Sequence, residues 1–363
     1  MNKLLKMGFI VSILLMGTFA TIFAQPEEEA ALLARAERLH KKIFSIDTHN
    51  DTPIYINHPD SNYGVTKGQV SFPMMKEGGL DAALFAIYQG QGPRDTISSE
   101  KAKRYAINEI NMFKEYVAKQ NGEAVIAYCV NDFLKYKKQG KSIVMFMIEN
   151  GYAISKDVAN VEMFYDMGIR TMTLCHNSNN DICDSSQDKP EHGGLSEFGI
   201  KVVREMNRLG MVIDVSHAAT STLYDCIKIS EAPIIASHSG VWAIKNHPRN
   251  LKDGEMIAIA EKGGLVQIAT GRFFLSTLPR SEVTVSHIVD HIDYAVNLIG
   301  IEHVGIGTDF DGGGGVVGLE NVSKMKEVTI EMMRRGYSDE DISLFWGGNV
   351  LRVFREIEKI AGK

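Results

Sequence analysis

Cysteine is scarce in this chain, four in 363 residues, too few for a fold built on a disulfide framework. Proline is scarce as well, nine in all, and no Pro/Gly/Ser-rich stretch marks a linker between domains. No lysine or arginine block occurs. The 39 basic and 45 acidic residues leave a formal charge of -6, which argues against nucleic acid as a partner. Beyond the N-terminal segment no apolar run is long enough to cross a bilayer. No internal repeat of roughly 20–50 residues is present.

What is present is a globular composition, 44% apolar and 23% charged, able to bury a large core. Lys3 and Lys6 precede an apolar run from Met7 to Ala24, followed by Gln25-Pro26-Glu27-Glu28-Glu29. A positive end, an apolar middle and a small residue before a polar break read as a secretory signal peptide, residues 1–24, and a secreted or periplasmic protein. The run is also just long enough for an uncleaved anchor. Cleavage after Ala24 removes two lysines and no acid, taking the formal charge from -6 to -8. Export permits disulfides, so a Cys175–Cys183 bridge and four buried thiols are equal alternatives.

Eight short apolar runs follow: Ile43–Asp51, Leu80–Gln89, Ser142–Gly151, Ile169–Asn177, Met211–His217, Ala232–Ser239, Gly263–Thr270 and His303–Asp309. Their continuous Val, Ile, Met and Ala content suits parallel strands buried on both faces. Helical spacing occupies Lys101–Lys119, Leu195–Leu209, Val283–Leu298, Val322–Arg335 and Asn349–Ile360, with glycine closing several at Gly168, Gly210, Gly300 and Gly336. This alternation predicts an α/β fold, a single (β/α)8 TIM barrel over residues 25–363. An open doubly wound sheet is the second choice. The Gly-rich phosphate turn it would carry after its first strand is replaced here by Asp47-Thr48-His49-Asn50-Asp51-Thr52-Pro53.

The polar residues sit at predicted strand ends: His49 and Asp51, Glu149, His176, His217, His238 and Asp309. In a barrel those ends open on one rim, where active sites of this fold form. Period-two alternation places His49 and Asp51 on one side of their strand. Imidazoles with carboxylates, and no cysteine pair, suit a catalytic divalent ion such as Zn2+, Mn2+ or Fe2+. The set exceeds the needs of one ion, and Glu149 stands where it could bridge two. A hydroxide held between them would form near neutral pH, with Asp309 placed to handle the proton. By contrast His40, His287, His291, His58, His192 and His303 read as solvated. The run Gly312–Gly315 reads as a flexible rim loop, since no P-loop lysine follows.

In this order the motifs resemble the membrane (renal-type) dipeptidase family, peptidase family M19, over about residues 43–357. They are His49-Asn50-Asp51, Glu149-Asn150-Gly151, Thr173-Leu174-Cys175-His176-Asn177, Gly193-Gly194-Leu195-Ser196-Glu197-Phe198-Gly199, Asp214-Val215-Ser216-His217, Ser237-His238-Ser239, His247-Pro248-Arg249-Asn250 and Gly305-Ile306-Gly307-Thr308-Asp309-Phe310-Asp311-Gly312, with matching tails at 318–322 and 349–353. The resemblance implies two zinc ions, His49 and Asp51 on one, His217 and His238 on the other, Glu149 on both. It implies that His176 steadies an oxyanion, that Arg249 holds the free carboxylate of a dipeptide substrate, that Asp309 moves the proton, and that the chain forms a homodimer. Arginine suits its task because its planar fork matches a carboxylate.

The chain departs from the family at Asn150-Gly151-Tyr152, at 179–184 where a Trp-containing loop is usual, and at Ala269-Thr270-Gly271-Arg272-Phe273-Phe274. These departures touch the pocket wall and leave the ligand set intact. Two rivals follow: a hydrolase of another amide, such as an N-acyl amino acid or a β-lactam, and a non-catalytic exported peptide-binding barrel.

Overall fold

The computed structural model describes residues 26–56 and 68–363. The signal-peptide expectation and His58 lie outside them. Nine strands are found among the described residues: β1 (Ile46–Asn50), β2 (Ala82–Tyr88), β3 (Ala124–Ile126), β4 (Ser142–Glu149), β5 (Ile169–Thr173), β6 (Val212–Asp214), β7 (Ile235–Ser239), β8 (Leu265–Ile268) and β9 (Val304–Ile306). Eight of them run parallel in the order β1-β2-β4-β5-β6-β7-β8-β9. The ring is drawn together by a parallel bridge from Asn50 to Phe310. Asp309 N donates to His49 O at 3.0 Å and Asp51 N to Phe310 O at 2.8 Å. This is the (β/α)8 barrel, and the open sheet is excluded.

Side-chain alternation explains why the barrel holds. Ile143, Met145 and Met147 of β4 join Ala82, Leu84, Ala86, Val212, Ile235 and Leu265 in an inner core. Val144, Phe146 and Ile148 pack with Ala83, Phe85 and Ile87 in an outer core beneath the helices. Phe113, from the helix Thr96–Ala118, meets Phe85 and Phe146 at ring distances of 5.1 and 5.5 Å. Truncating Phe146 to alanine would cost about 3–5 kcal/mol by opening a cavity there. The interior is tight elsewhere too: a Cβ on Gly305 would lie 2.0 Å from Gln267 Oε1, and one on Gly307 1.8 Å from Ser237 O.

The eight expected strands are present but shorter, and β3 is an addition. It pairs with the start of β4 on the side that β5 takes over from Phe146 onward. Three residues with no alternation give too little pattern to identify such a strand. The expected helices appear as Thr96–Ala118, Glu197–Leu209, Val285–Ile299, Lys326–Arg334 and Asn349–Ile360. Ser196 caps the second by accepting from Gly199 N, and Gly210, at φ 72°, ends it. No helix among the described residues is long and apolar enough to cross a membrane.

All four cysteines are free thiols, three of them buried, so the disulfide alternative is set aside. Two of the histidines expected to be solvated are buried. His40 Nδ1 meets Gly79 O at 3.0 Å and its Nε2 meets Thr329 Oγ1 at 2.7 Å. His291 Nδ1 accepts from Val241 N at 2.9 Å, while Nε2 meets Leu275 O at 3.1 Å. Burial pushes each of these imidazoles down to about 4.

Candidate metal centre and active site

The mouth is built by extending the inner face of the barrel one step. On β2 and β4 the inward positions 82, 84, 86 and 143, 145, 147 lead to Tyr88 and Glu149, which are register partners. Thr173 of β5 lies opposite Glu149, and Asp214 of β6 opposite Thr173. On β1 and β7 the ladders are irregular, with register shifts between Asp47 and Asn50 and between Ala236 and Ser239. Simple alternation therefore does not place His49 and Asp51. The distortion re-aims the chain, and His49 Nε2 still lies 3.4 Å from Asp51 Oδ2.

His176, His217 and Asp309 were expected as strand termini, but each lies three residues beyond its strand. His217 and Asp309 have φ of 68° and 60°. A left-handed backbone is costly for a side chain of this kind and persists where the surroundings enforce it. It swings both residues back over the mouth.

Glu149 is the centre of the cluster. Its Oε2 lies 3.6 Å from His49 Nε2, and its Oε1 lies 3.1 Å from His217 Nε2, 3.6 Å from His238 Nε2 and 3.9 Å from His176 Nε2. Three overlapping triads have donor atoms within 4.8 Å of one another: His49, Glu149 and His238; Glu149, His176 and His217; His49, Asp51 and Asp309. The rings of His49 and His238 stack at 3.7 Å.

Supporting hydrogen bonds settle which nitrogens face the cluster. His217 Nδ1 meets Asn177 Oδ1 at 2.8 Å, a bond in which the ring donates. His238 Nδ1 donates to Ser237 Oγ at 2.9 Å, and that hydroxyl donates to Asp214 Oδ2 at 2.5 Å. Asp214 also accepts from Thr173 Oγ1 and from the backbone N–H groups of Ser216 and Ser237. Both Nε2 atoms are thereby left as bare lone pairs, 3.0 Å apart and facing a carboxylate. Burial pushes both imidazoles well below their ordinary range, with Arg249 and neighbouring histidines adding to the effect. His49 Nε2 and Asp51 Oδ1 are buried with no hydrogen-bond partner. Converging lone pairs of this kind fit a divalent cation, and their N/O chemistry suits a catalytic rather than a closed structural site.

A cavity of about 400 Å3 opens above the cluster, walled by Ile54, Tyr88, His247, Phe273, Phe274 and Asp311 among others. Arg249 is 3% exposed, donates from Nη2 to His238 O at 3.0 Å and lies 5.4 Å from the Phe274 ring centroid. Burial lowers its pKa, and Asp309 and Glu149 oppose that. Burial, with Asp51 and Glu149 nearby, raises Asp309 well above the carboxylate range. His176 is pushed down to about 4 by burial and then by Arg249.

The glycine run is no loose rim. A Cβ on Gly312 would stand 2.0 Å from Asp51 Oδ2 and 2.6 Å from Asp309 Oδ1. Gly312 N and Gly314 N both donate to Asp309 O. Asp311 is pinned by Thr52 Oγ1 and by Gln69 N, each at 2.8 Å.

All eight expected site residues thus meet at one mouth. Sequence reasoning missed the supports Asn177, Asp214 and Ser237. Asp214 and Ser237 were visible as polar residues beside the histidines, but only the fold connects them.

A profile of the membrane dipeptidase family (Peptidase family M19) matches residues 33–363. The chain belongs to that family. Dipeptidase aclJ from Aspergillus oryzae is 31% identical over 383 residues, covering 99% of this chain and 90% of that one. Dipeptidase tcpJ from Claviceps purpurea is 31% identical over 87% of this chain and 77% of its own length. Among solved structures, the probable dipeptidase PvdM from Pseudomonas aeruginosa superposes with a TM-score of 0.86 at 28% identity, covering 91% and 99% of the two chains. A Rhodobacter sphaeroides metallopeptidase, bound to a phosphinate mimic of L-Ala-D-Ala, shares the fold with a TM-score of 0.80 at 22% identity over 87% and 99%. As a member of the membrane dipeptidase family the protein is a hydrolase acting on peptide bonds, and the family is one of metallopeptidases.

Proposed function

We propose that this membrane dipeptidase relative is an exported enzyme with two zinc ions that cleaves dipeptides bearing a free C-terminal carboxylate. The observation that carries this reading is the convergence of His49, Asp51, His217 and His238 on the two oxygens of Glu149. His49 and Asp51 would hold one ion, His217 and His238 the other, and Glu149 both. Ions so held supply Lewis acidity and lower the pKa of water to about 7.

The remaining roles belong to the chain itself. His176, neutral through burial, can offer an N–H to the scissile carbonyl oxygen as it gains negative charge. Asp309, whose carboxyl burial raises above its ordinary range, can take up a proton and pass it to the departing amine. Arg249 grips the carboxylate of the substrate. The Phe274 ring beside Arg249 places the C-terminal residue against an aromatic wall. Assembly as a homodimer belongs to the same proposal.

Purified enzyme should contain about two zinc ions per chain and lose activity to a chelator. A dipeptide should be cleaved at least about 100-fold faster than its C-terminal amide, the scale of about two charge-assisted hydrogen bonds. Equal rates for the two substrates would remove Arg249 from substrate recognition. A panel including an N-acyl amino acid and a β-lactam separates the rival amide hydrolases.

A further inference from the structure

A second cavity, about 640 Å3, lies beside the mouth, and His217 and Arg249 belong to the walls of both. Polar side chains among its lining residues are under-used. Arg249 Nε is buried with no hydrogen-bond partner, and so are Ser239 Oγ and Ser186 Oγ. Ser239 is 1% exposed. The flanks are apolar: Val215, Leu223 and Leu251 are buried, and Trp242 stands 39% exposed.

The acids around this cavity are largely engaged. Asp184 accepts from the backbone N–H groups of Glu191, His192, Gly193 and Gly194. Glu255 accepts from the Thr220 hydroxyl and from Lys252 N. Asp188, which is exposed, accepts from Asn179 N and Lys189 N and stands in the wall with the exposed Lys252. A buried cation with hydroxyls beside it, apolar flanks and a surface carboxylate match a small dipolar molecule with an apolar side chain.

We infer that this cavity binds the free amino acid released from the C-terminal side of the substrate. Its carboxylate meets Arg249 and Ser239, and its ammonium faces Asp188. The inference rests on the proposed role of Arg249 in holding the substrate carboxylate. A guanidinium has five N–H groups in a planar fork and can serve carboxylates along two edges. The departing residue can therefore pass from one edge to the other without its charge losing a partner. Free amino acid then inhibits by binding beside the dipeptide instead of simply displacing it.

The test is calorimetric titration of leucine into metal-loaded enzyme whose mouth is saturated with a phosphinate dipeptide mimic. Leucine should bind the saturated enzyme. Ser239→Ala and, further from the ligand cluster, Trp242→Ala should each weaken it by about tenfold, the scale of one hydrogen bond or one lost packing surface. Failure of leucine to bind saturated enzyme, or binding by both variants as tight as that of the native enzyme, overturns the inference. Leucine binding that depends on Ser239, in a protein that cleaves no dipeptide, would uphold the cavity and overturn the hydrolytic reading instead.

Discussion

His217 and His238 face each other Nε2 to Nε2 at 3.0 Å, and neither nitrogen carries a proton to place between them. Each ring commits its N–H on the other side, to Asn177 or to Ser237. A cation between them and Glu149 relieves the repulsion. Zinc at about 1,000 times its dissociation constant should therefore stabilise the folded chain by about 4 kcal/mol. Scanning calorimetry of chelated protein against a zinc series reads this directly. Glu149→Gln should abolish most of the shift and lower turnover more than roughly 100-fold, beyond the scale of an outer-ligand change. A melting temperature indifferent to zinc would count against the metal site.

Gly312→Ala should act on the same carboxylates from outside the ligand set. Its methyl would meet Asp51 Oδ2 and Asp309 Oδ1, so one or both must move. Metal affinity, measured by chelator competition, should fall about 10- to 100-fold, while the fold of the chelated protein is retained. Unchanged affinity would mean that the loop yields instead of the carboxylates.

His176→Ala should leave two metal ions bound and reduce turnover about 100- to 1000-fold, the usual cost of losing one oxyanion donor. The relevant measurements are kcat and metal content on the same sample. Loss of metal together with activity would reassign His176 as a ligand, a role that its 3.9 Å approach to Glu149 also permits.

Stability should fall between pH 6.5 and about pH 4 because of His40 and His291. Each is buried and lowered from 6.5 to about 4. In that window the unfolded chain binds the proton and the folded chain does not, so acid favours unfolding. The contribution is complete above pH 6.5 and lost by about pH 4, about 3 kcal/mol for each histidine. At His40 the cause is visible. Trp346 Nε1 donates to Thr329 Oγ1, whose proton is then free for His40 Nε2. A protonated Nε2 would force that hydroxyl to accept twice and turn its own proton away from His40. The melting temperature of His40→Gln should be less sensitive to pH than that of the native protein over this window, and an unaltered slope would contradict the assignment.

The barrel was legible because buried parallel strands are continuous apolar runs, and the site because six of those runs carried a His, Asp or Glu at or within two residues of their ends. The run 124–126 escaped notice since three residues carry no period. Burial of His40 and His291 escaped notice because polar residues within amphipathic helices look alike until their partners are known. Those partners lie far away in sequence, at Thr329 for one and at Val241 and Leu275 for the other. The irregular ladder at Asp47–Asn50 was hidden for a related reason: Asp47 is held by a residue just past β9. Thr308 donates to both oxygens of Asp47, from its N–H and its hydroxyl, each at 2.7 Å.

That clasp between Asp47 and Thr308 joins the beginning of the ring to its end across 261 positions of chain. His49 of the first strand stacks on His238 of the seventh within the ring that this clasp helps to close. Metal capture would then be a timestamp on assembly: a nascent or truncated polypeptide that stops short of residue 308 has all five proposed ligands but lacks the clasp that closes the ring around them. Time-resolved uptake of a spectroscopic ion such as Co2+ would mark the moment the circle shuts.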